Sequence, residues 1–262
     1  MKQIIAEVTQ FMRDHTERDV SIEELADRFG YSKFHFSREF KKLIGVTPNE
    51  YWAALKMEKS LAALERSSIL SAHLRTGYQS TGTFTSSFQR ATGFTPGQYQ
   101  EEIHQLNLLQ EAKEYEGVGD KVYTHYSFNR KDPSTLQTHV LHVTCHLPED
   151  FKGLIFVGLF RKPLPTDAPV LGKAMTRTNR CVIDQIPDGE YYALACAMRS
   201  SMNPLSYFRP DLWLRDLHRV AYYFPLAEDT AIEFVLREKV PTDPAIPCNP
   251  MKLLVEAMKR KD

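Results

Sequence analysis

Lys33, Phe34, Ser37, Arg38, Lys41 and Lys42 fall within one short stretch, KFHFSREFKK. Together they suit one kind of chemistry. An arginine guanidinium forks onto the acceptor edge of guanine in the major groove, and lysine ammoniums neutralise phosphates. In a helix, Phe34 and Arg38 point the same way because residues four apart share a face. Phe36, Phe40, Leu43 and Ile44 form the opposite, apolar stripe. The exposed face is then basic, whereas a merely solvated face mixes signs. An inert helical bundle is the competing reading, and the basic face favours nucleic acid.

Other reactive side chains combine less well. His139, Cys145 and the pair His142 and His146 lie close in sequence. On a strand His142 and His146 share a face but stand about 13 Å apart at ~3.3 Å per residue, too far for one metal. Surface or core histidines are expected, with no metal and no cofactor. The four cysteines, Cys145, Cys181, Cys196 and Cys248, form no CxxC pair and read as reduced thiols. No GxSxG, HExxH, P-loop or dinucleotide fingerprint is present, and no catalytic residue is expected. Asp188 lies between Pro187 and Gly189, Asp167 and Asp184 stand two and three residues from a Pro, and all three read as turn residues.

The elements that hold the basic face are helical. Ile4, Ile5, Val8, Phe11 and Met12 predict a first amphipathic helix. Ser21 and Glu24 form a capping box ahead of a short second helix that stops at Gly30. Ser32 opens a third helix and Gly45 closes it. Thr47-Pro48 starts a fourth, with Ala54, Met57, Leu61 and Leu64 along one side. The sequence FSREFKKLIGVTPNEY (36–51) then returns as FTSSFQRATGFTPGQY (84–99). Gly77-Tyr78 likewise repeats Gly30-Tyr31. A short helix, a tight glycine turn and a second helix make a helix-turn-helix, and this chain has two.

Length suits two domains. Formal net charge is zero and the first 105 residues balance as well, so any electrostatic site comes from placement. Apolar runs are short and the N-terminus is no secretory signal. A cytoplasmic protein with no membrane partner is expected.

LADRFGYSKFHFSREFKKLIGVTPNEY and RTGYQSTGTFTSSFQRATGFTPGQY resemble the AraC-type DNA-binding domain, a double helix-turn-helix module of bacterial transcription regulators. The resemblance covers about residues 1–105. It implies that each unit places its second helix in the major groove of double-stranded DNA. The fourth helix, residues 48–65, would hold the units apart by about 27 Å of helix, against about 34 Å between successive grooves, with some DNA bending. Residues 1–46 and 66–105 are the two units. In the first, Phe34, Ser37 and Arg38 occupy positions the family uses for base contacts. In the second, the corresponding surface is Ser80, Thr81, Gly82, Thr85 and Ser86, with Ser86 in place of Arg38. The first helix is therefore expected to carry most base discrimination. The second would dock mainly on backbone, helped by Gln89 and Arg90; the competing view is that Thr81 and Thr85 still read bases. Family habit favours activation over repression, implies RNA polymerase as a partner, and leaves room for a small-molecule effector and a homodimer. Three positions depart from the pattern. His73 stands where the first unit has Ala26 and the family usually has a small residue, so it either loosens the second unit or turns outward. Lys56 and Ser60 replace common Arg and Ala.

After a linker at 106–120 the pattern becomes strand-like. KVYTHYSF, THVLHVTCHL, GLIFVGLF, RCVIDQI, EYYALACAM and AIEFVLRE are six strand candidates. No long helix joins one to the next, which predicts a mostly β domain over 121–262, an antiparallel sandwich. The turn and strand IPDGEYYALA resembles prealbumin-like modules such as carboxypeptidase regulatory-like domains; a GyrI-like ligand domain is the alternative. This domain would sense an effector, dimerise, or both. The aromatic run 204–224, with Tyr207, Phe208, Trp213, Tyr222, Tyr223 and Phe224, fits a ligand pocket, core packing or a dimer surface, and base rates favour core. An enzyme or solute-binding protein on a helical scaffold is the rival class.

Overall fold

The computed structural model describes residues 4–18, 20–64, 67–78, 80–105, 121–127 and 139–259. The linker assigned to 106–120 lies outside them. The chain forms two compact units. The first comprises Met1–His104 together with Lys162–Asp167 and Val240–Cys248; the second comprises Gln105–Arg161, Ala168–Lys239 and Asn249–Asp262.

The first unit is helical: α1 (Ile5–Asp14), α2 (Ile22–Arg28), α3 (Lys33–Ile44), α4 (Pro48–Leu64), α5 (Ile69–Arg75), α6 (Thr81–Thr92) and α7 (Pro96–Gln105). The Ser21–Glu24 capping box that opens α2 is present on both sides, with side chain to backbone in each direction. Gly45 and Gly93 end α3 and α6 in the left-handed region, at φ 90° and 76°, where a residue with a Cβ is strained. Two further capping boxes come from the repeat itself. Thr47 and Glu50 exchange hydrogen bonds of 3.0 and 3.3 Å at the start of α4, and Thr95 and Gln98 do the same at 3.0 and 3.3 Å at α7.

Two later segments complete this unit. Leu164 and Ala245 are buried in the same core as Val8, Leu25, Phe36 and Phe40. Arg13 donates to the carbonyl of Pro241 at 3.0 Å and to the carbonyl of Asp243, and lies 3.6 Å from Glu58. The Tyr51 hydroxyl donates to Asp243 O at 3.0 Å, and Glu58 accepts the backbone N–H of Ile246 at 3.1 Å. Glu58 lies on α4 and is buried, so its charge has to be matched by these partners.

The second unit is mostly β, and all six strand candidates appear as strands. Its larger sheet runs β1 (Lys121–Tyr126), β4 (Leu171–Thr176), β3 (Gly153–Phe160), β6 (Gly189–Arg199), β7 (Leu214–Leu217), with β8 (Tyr222–Phe224) also on β6. Every pair in it is antiparallel. The smaller sheet is β5 (Arg180–Ile183), β2 (Leu141–His146), β9 (Thr230–Val235). Here β2 and β9 pair in parallel, one local exception to the antiparallel expectation. The chain crosses most of the larger sheet between them, and that distance allows re-entry in the same direction. Val143 and Cys145 of β2 and Ile232 and Phe234 of β9 share one buried core with Ile155, Val157, Met175, Ala193 and Ala195 of the larger sheet. Three strands, β4, β7 and β8, and a closing helix α8 (Pro250–Lys259) were not anticipated. The Asn249 side chain accepts the N–H of Lys252 at 3.2 Å to open α8.

Candidate nucleic-acid interface

α3 buries Phe36, Phe40 and Ile44 and turns its other side outward. Phe34 is 86% exposed, which leaves its ring free to contact a docked partner. The Arg38 side chain is 75% exposed, and its Nε stands 3.8 Å from Glu39 Oε1, a pairing too loose and wet to hold it. Lys33 Nζ lies 3.5 Å from Glu23, while Lys41 and Lys42 are exposed near the helix end. Ser37 is half-buried. Glu39 also lies on α3, but its side chain is largely covered, so the open face keeps its basic character.

α6 repeats the framework with other chemistry. Phe84, Phe88 and Ala91 are buried. Thr81, Gly82, Ser86, Gln89 and Arg90 are exposed and Thr85 is half-buried. The Ser80 hydroxyl accepts the Thr83 N–H at 3.2 Å and bonds Thr83 Oγ1 at 2.9 Å, so it serves as the helix cap. Arg90 Nε stands 3.9 Å from Asp167 Oδ1.

The bridge between the helices explains their support. On α4, Ala54, Met57, Leu61 and Leu64 are buried, as their spacing predicted. Lys56 donates to Gly77 O at 3.3 Å and Ser60 to Met57 O at 2.7 Å. Lys162 Nζ reaches Glu50 Oε1 at 2.6 Å. That bond first, then the Thr47 backbone N–H, holds the Glu50 carboxyl down to about 2. His73 turns inward, 8% exposed, with its ring 5.6 Å from that of Phe84. Among the described residues neither ring nitrogen has a hydrogen-bond partner.

Each residue singled out in the second unit has its own surroundings. Tyr207 lines a cavity with Phe151 and Arg177. Trp213 is buried and its indole N–H donates to Ser206 O at 3.4 Å. The Tyr222 hydroxyl bonds His218 Nδ1 at 2.6 Å, and Tyr223 is exposed. His146 meets Glu233 at 3.1 Å and His139 meets Asp229 at 3.4 Å. Among the described residues no group of three or more His, Cys, Asp or Glu could hold a metal ion. Burial pushes the thiols of Cys145 and Cys196 up to about 12 and that of Cys181 up to about 11, far from the thiolate a nucleophile needs. No helix among the described residues is long and apolar enough to cross a membrane.

Two helix-turn-helix units on one bridging helix, each with its second helix exposed along one side, define a tandem DNA-binding module. Residues 25–102 match the family model described as a helix-turn-helix domain. The chain is 32% identical over 97 residues to the multiple antibiotic resistance protein MarA of Salmonella typhimurium, 36% of this chain and 76% of that one. This chain belongs to the AraC-type family of helix-turn-helix proteins. It is also 30% identical over 97 residues to the MmsAB operon regulatory protein of Pseudomonas aeruginosa, 36% of this chain but 32% of that protein, so it spans about a third of that relative. The solved DNA-binding domain of AdpA, the global transcriptional factor, in complex with a target DNA, matches 39% of this chain and 95% of its own at 26% identity and a TM-score of 0.38.

Proposed function

We propose that this chain is a sequence-specific transcription regulator that binds double-stranded promoter DNA through α3 and α6. The observation that carries this reading is the pair of exposed helices on copies of one aromatic framework, with the cations concentrated on the first. α3 reads bases through Phe34, Ser37 and Arg38, while Lys33, Lys41 and Lys42 neutralise phosphates. α6 docks mainly on the backbone through Ser80, Thr81, Gly82, Thr85 and Ser86, with Gln89 and Arg90 beside them. The two helices differ, so one chain's operator is asymmetric. We further propose that it works in the cytoplasm, activates by contacting RNA polymerase, and answers to a sensing or dimerising second unit. The raised thiols of Cys145, Cys181 and Cys196 weigh against an enzyme that uses a cysteine nucleophile.

The test is binding of the full-length protein to DNA from upstream of its own gene, with competitor DNA and a salt series. Competitor-resistant binding with a steep salt slope is expected. Arg38→Ala should weaken specific binding by ~1–3 kcal/mol and relax discrimination. Unchanged affinity in that variant would remove Arg38 from base readout.

A further inference from the structure

At one end of the sandwich a cavity of about 560 Å³ opens between the start of β3, the β4–β5 turn and the chain leaving β6. Small-molecule sites occupy ~300–1,000 Å³. Phe151, Leu154 and Ile155 contribute apolar lining, and Lys152 and Arg177 stand at its rim; no Asp or Glu is among the described residues that line it. Neighbouring Asp150 is engaged by Arg199 at 3.2 Å. Neither Lys152 nor Arg177 pairs with a carboxylate among the described residues.

The turn that carries Arg177 is held in place. The Asn179 side chain donates to Cys145 O at 2.9 Å, and the Cys145 N–H donates to Asn179 O at 2.8 Å. Arg177 itself sits at φ 60°, a left-handed conformation that disfavours any residue with a Cβ. Glycine or asparagine would fit that backbone better, yet a cation occupies it. Strain of this kind collects where a side chain has a task.

We infer that this end of the sandwich binds a small organic anion: a carboxylate met by Lys152 and Arg177, with an apolar body against Phe151, Leu154 and Tyr207. Charge-assisted hydrogen bonds from the two cations fix the acid group, and the wall selects for a hydrophobic remainder. Its regulatory meaning rests on the proposed sensing role of this unit; the binding itself does not.

Calorimetry on the full-length protein tests it, with octanoate and phenylacetate as probes and octan-1-ol and phenylacetamide as neutral counterparts. At least one acid should bind, at least tenfold tighter than its neutral counterpart. Arg177→Gly removes the charge and relaxes the backbone, so it should keep its thermal midpoint and lose at least tenfold in affinity; Lys152→Ala should act in the same direction. Absence of binding by both acids at millimolar concentration, equal binding of the neutral compounds, or an unchanged affinity in Arg177→Gly would overturn the proposal. DNA affinity measured with saturating acid then separates the two readings. Acid binding that depends on Arg177 but leaves DNA affinity unchanged keeps the site and removes the sensing role.

Discussion

Phe36, Phe40 and Tyr51 in the first helix-turn-helix unit stand at ring separations of 5.9 and 5.5 Å, and Phe84, Phe88 and Tyr99 in the second at 5.7 and 5.3 Å. The outward positions of the same helices have diverged. Lys33, Phe34, Arg38 and Lys41 in one face Thr81, Gly82, Ser86 and Gln89 in the other. Packed positions answer to their neighbours, and a changed volume there is felt at once. Outward positions answer only to what docks on them. In the proposed reading, two copies that keep one framework and exchange a basic face for a small hydroxyl face would meet different surfaces of the same DNA.

The comparison can be broken at its framework first. Phe36→Ala and Phe84→Ala should each cost ~3–5 kcal/mol, seen as equal losses in urea unfolding. Unequal losses would mean that the two frameworks do not bear equal loads. The buried histidine comes next. Ala26→His should cost ~1–3 kcal/mol by overpacking. His73→Ala should change stability by less than ~1 kcal/mol, since relief of two unpartnered nitrogens offsets the lost ring packing. A large loss in His73→Ala would show the ring to be a packing element that the first unit lacks.

At the exposed faces, Arg38→Ala should lose ~1–3 kcal/mol of specific DNA binding, and Ser86→Ala under ~0.5 kcal/mol, measured by fluorescence anisotropy at one salt concentration. Equal losses would make the second helix a reader of equal rank.

The smallest effect separates the capping boxes. Glu50 carries a charge bonded to Lys162, whereas its counterpart Gln98 is neutral. The folded Glu50 carboxyl is depressed from 4.5 to about 2. Its contribution is therefore present above pH ~4.5 and fades as the pH falls toward 2. Both partners are partly in solvent, so the pair contributes under ~1 kcal/mol. Glu50→Gln should flatten acid denaturation in that window, and an identical acid limb would show that the ion pair adds nothing.

The helical half was legible because its signals are local. Caps, glycine stops and apolar spacing act within a few residues, and the repeat states each of them twice. At the starts of α4 and α7 the sequence reading reached only the Thr-Pro start, although TPNE and TPGQ carry the rest of the box, a hydroxyl followed three residues later by Glu or Gln. Buried Glu58 was not, because its partners Arg13 and Ile246 N–H are remote in sequence. In the β unit, runs such as GLIFVGLF announced themselves. β4 hid behind Gly172 and Lys173, and Lys173 is buried with its ammonium 3.0 Å from Thr124 Oγ1. β7 and β8 lay inside an aromatic run whose rings do not alternate. The inward turn of His73 depends on room beside Phe84, which spacing does not reveal.

Leu164 and Ala245 close the core around α1 to α4, and this sets an order of events during synthesis. At ~5–20 residues per second, the ribosome finishes α7 many seconds before Ala245 emerges. Through that interval the nascent helices hold an open apolar seam and Glu58 lacks its Ile246 partner. The core around α1 to α4, although made first, thus receives its last two buried side chains late, and a chain cut short before residue 245 is expected to release that core without Ala245.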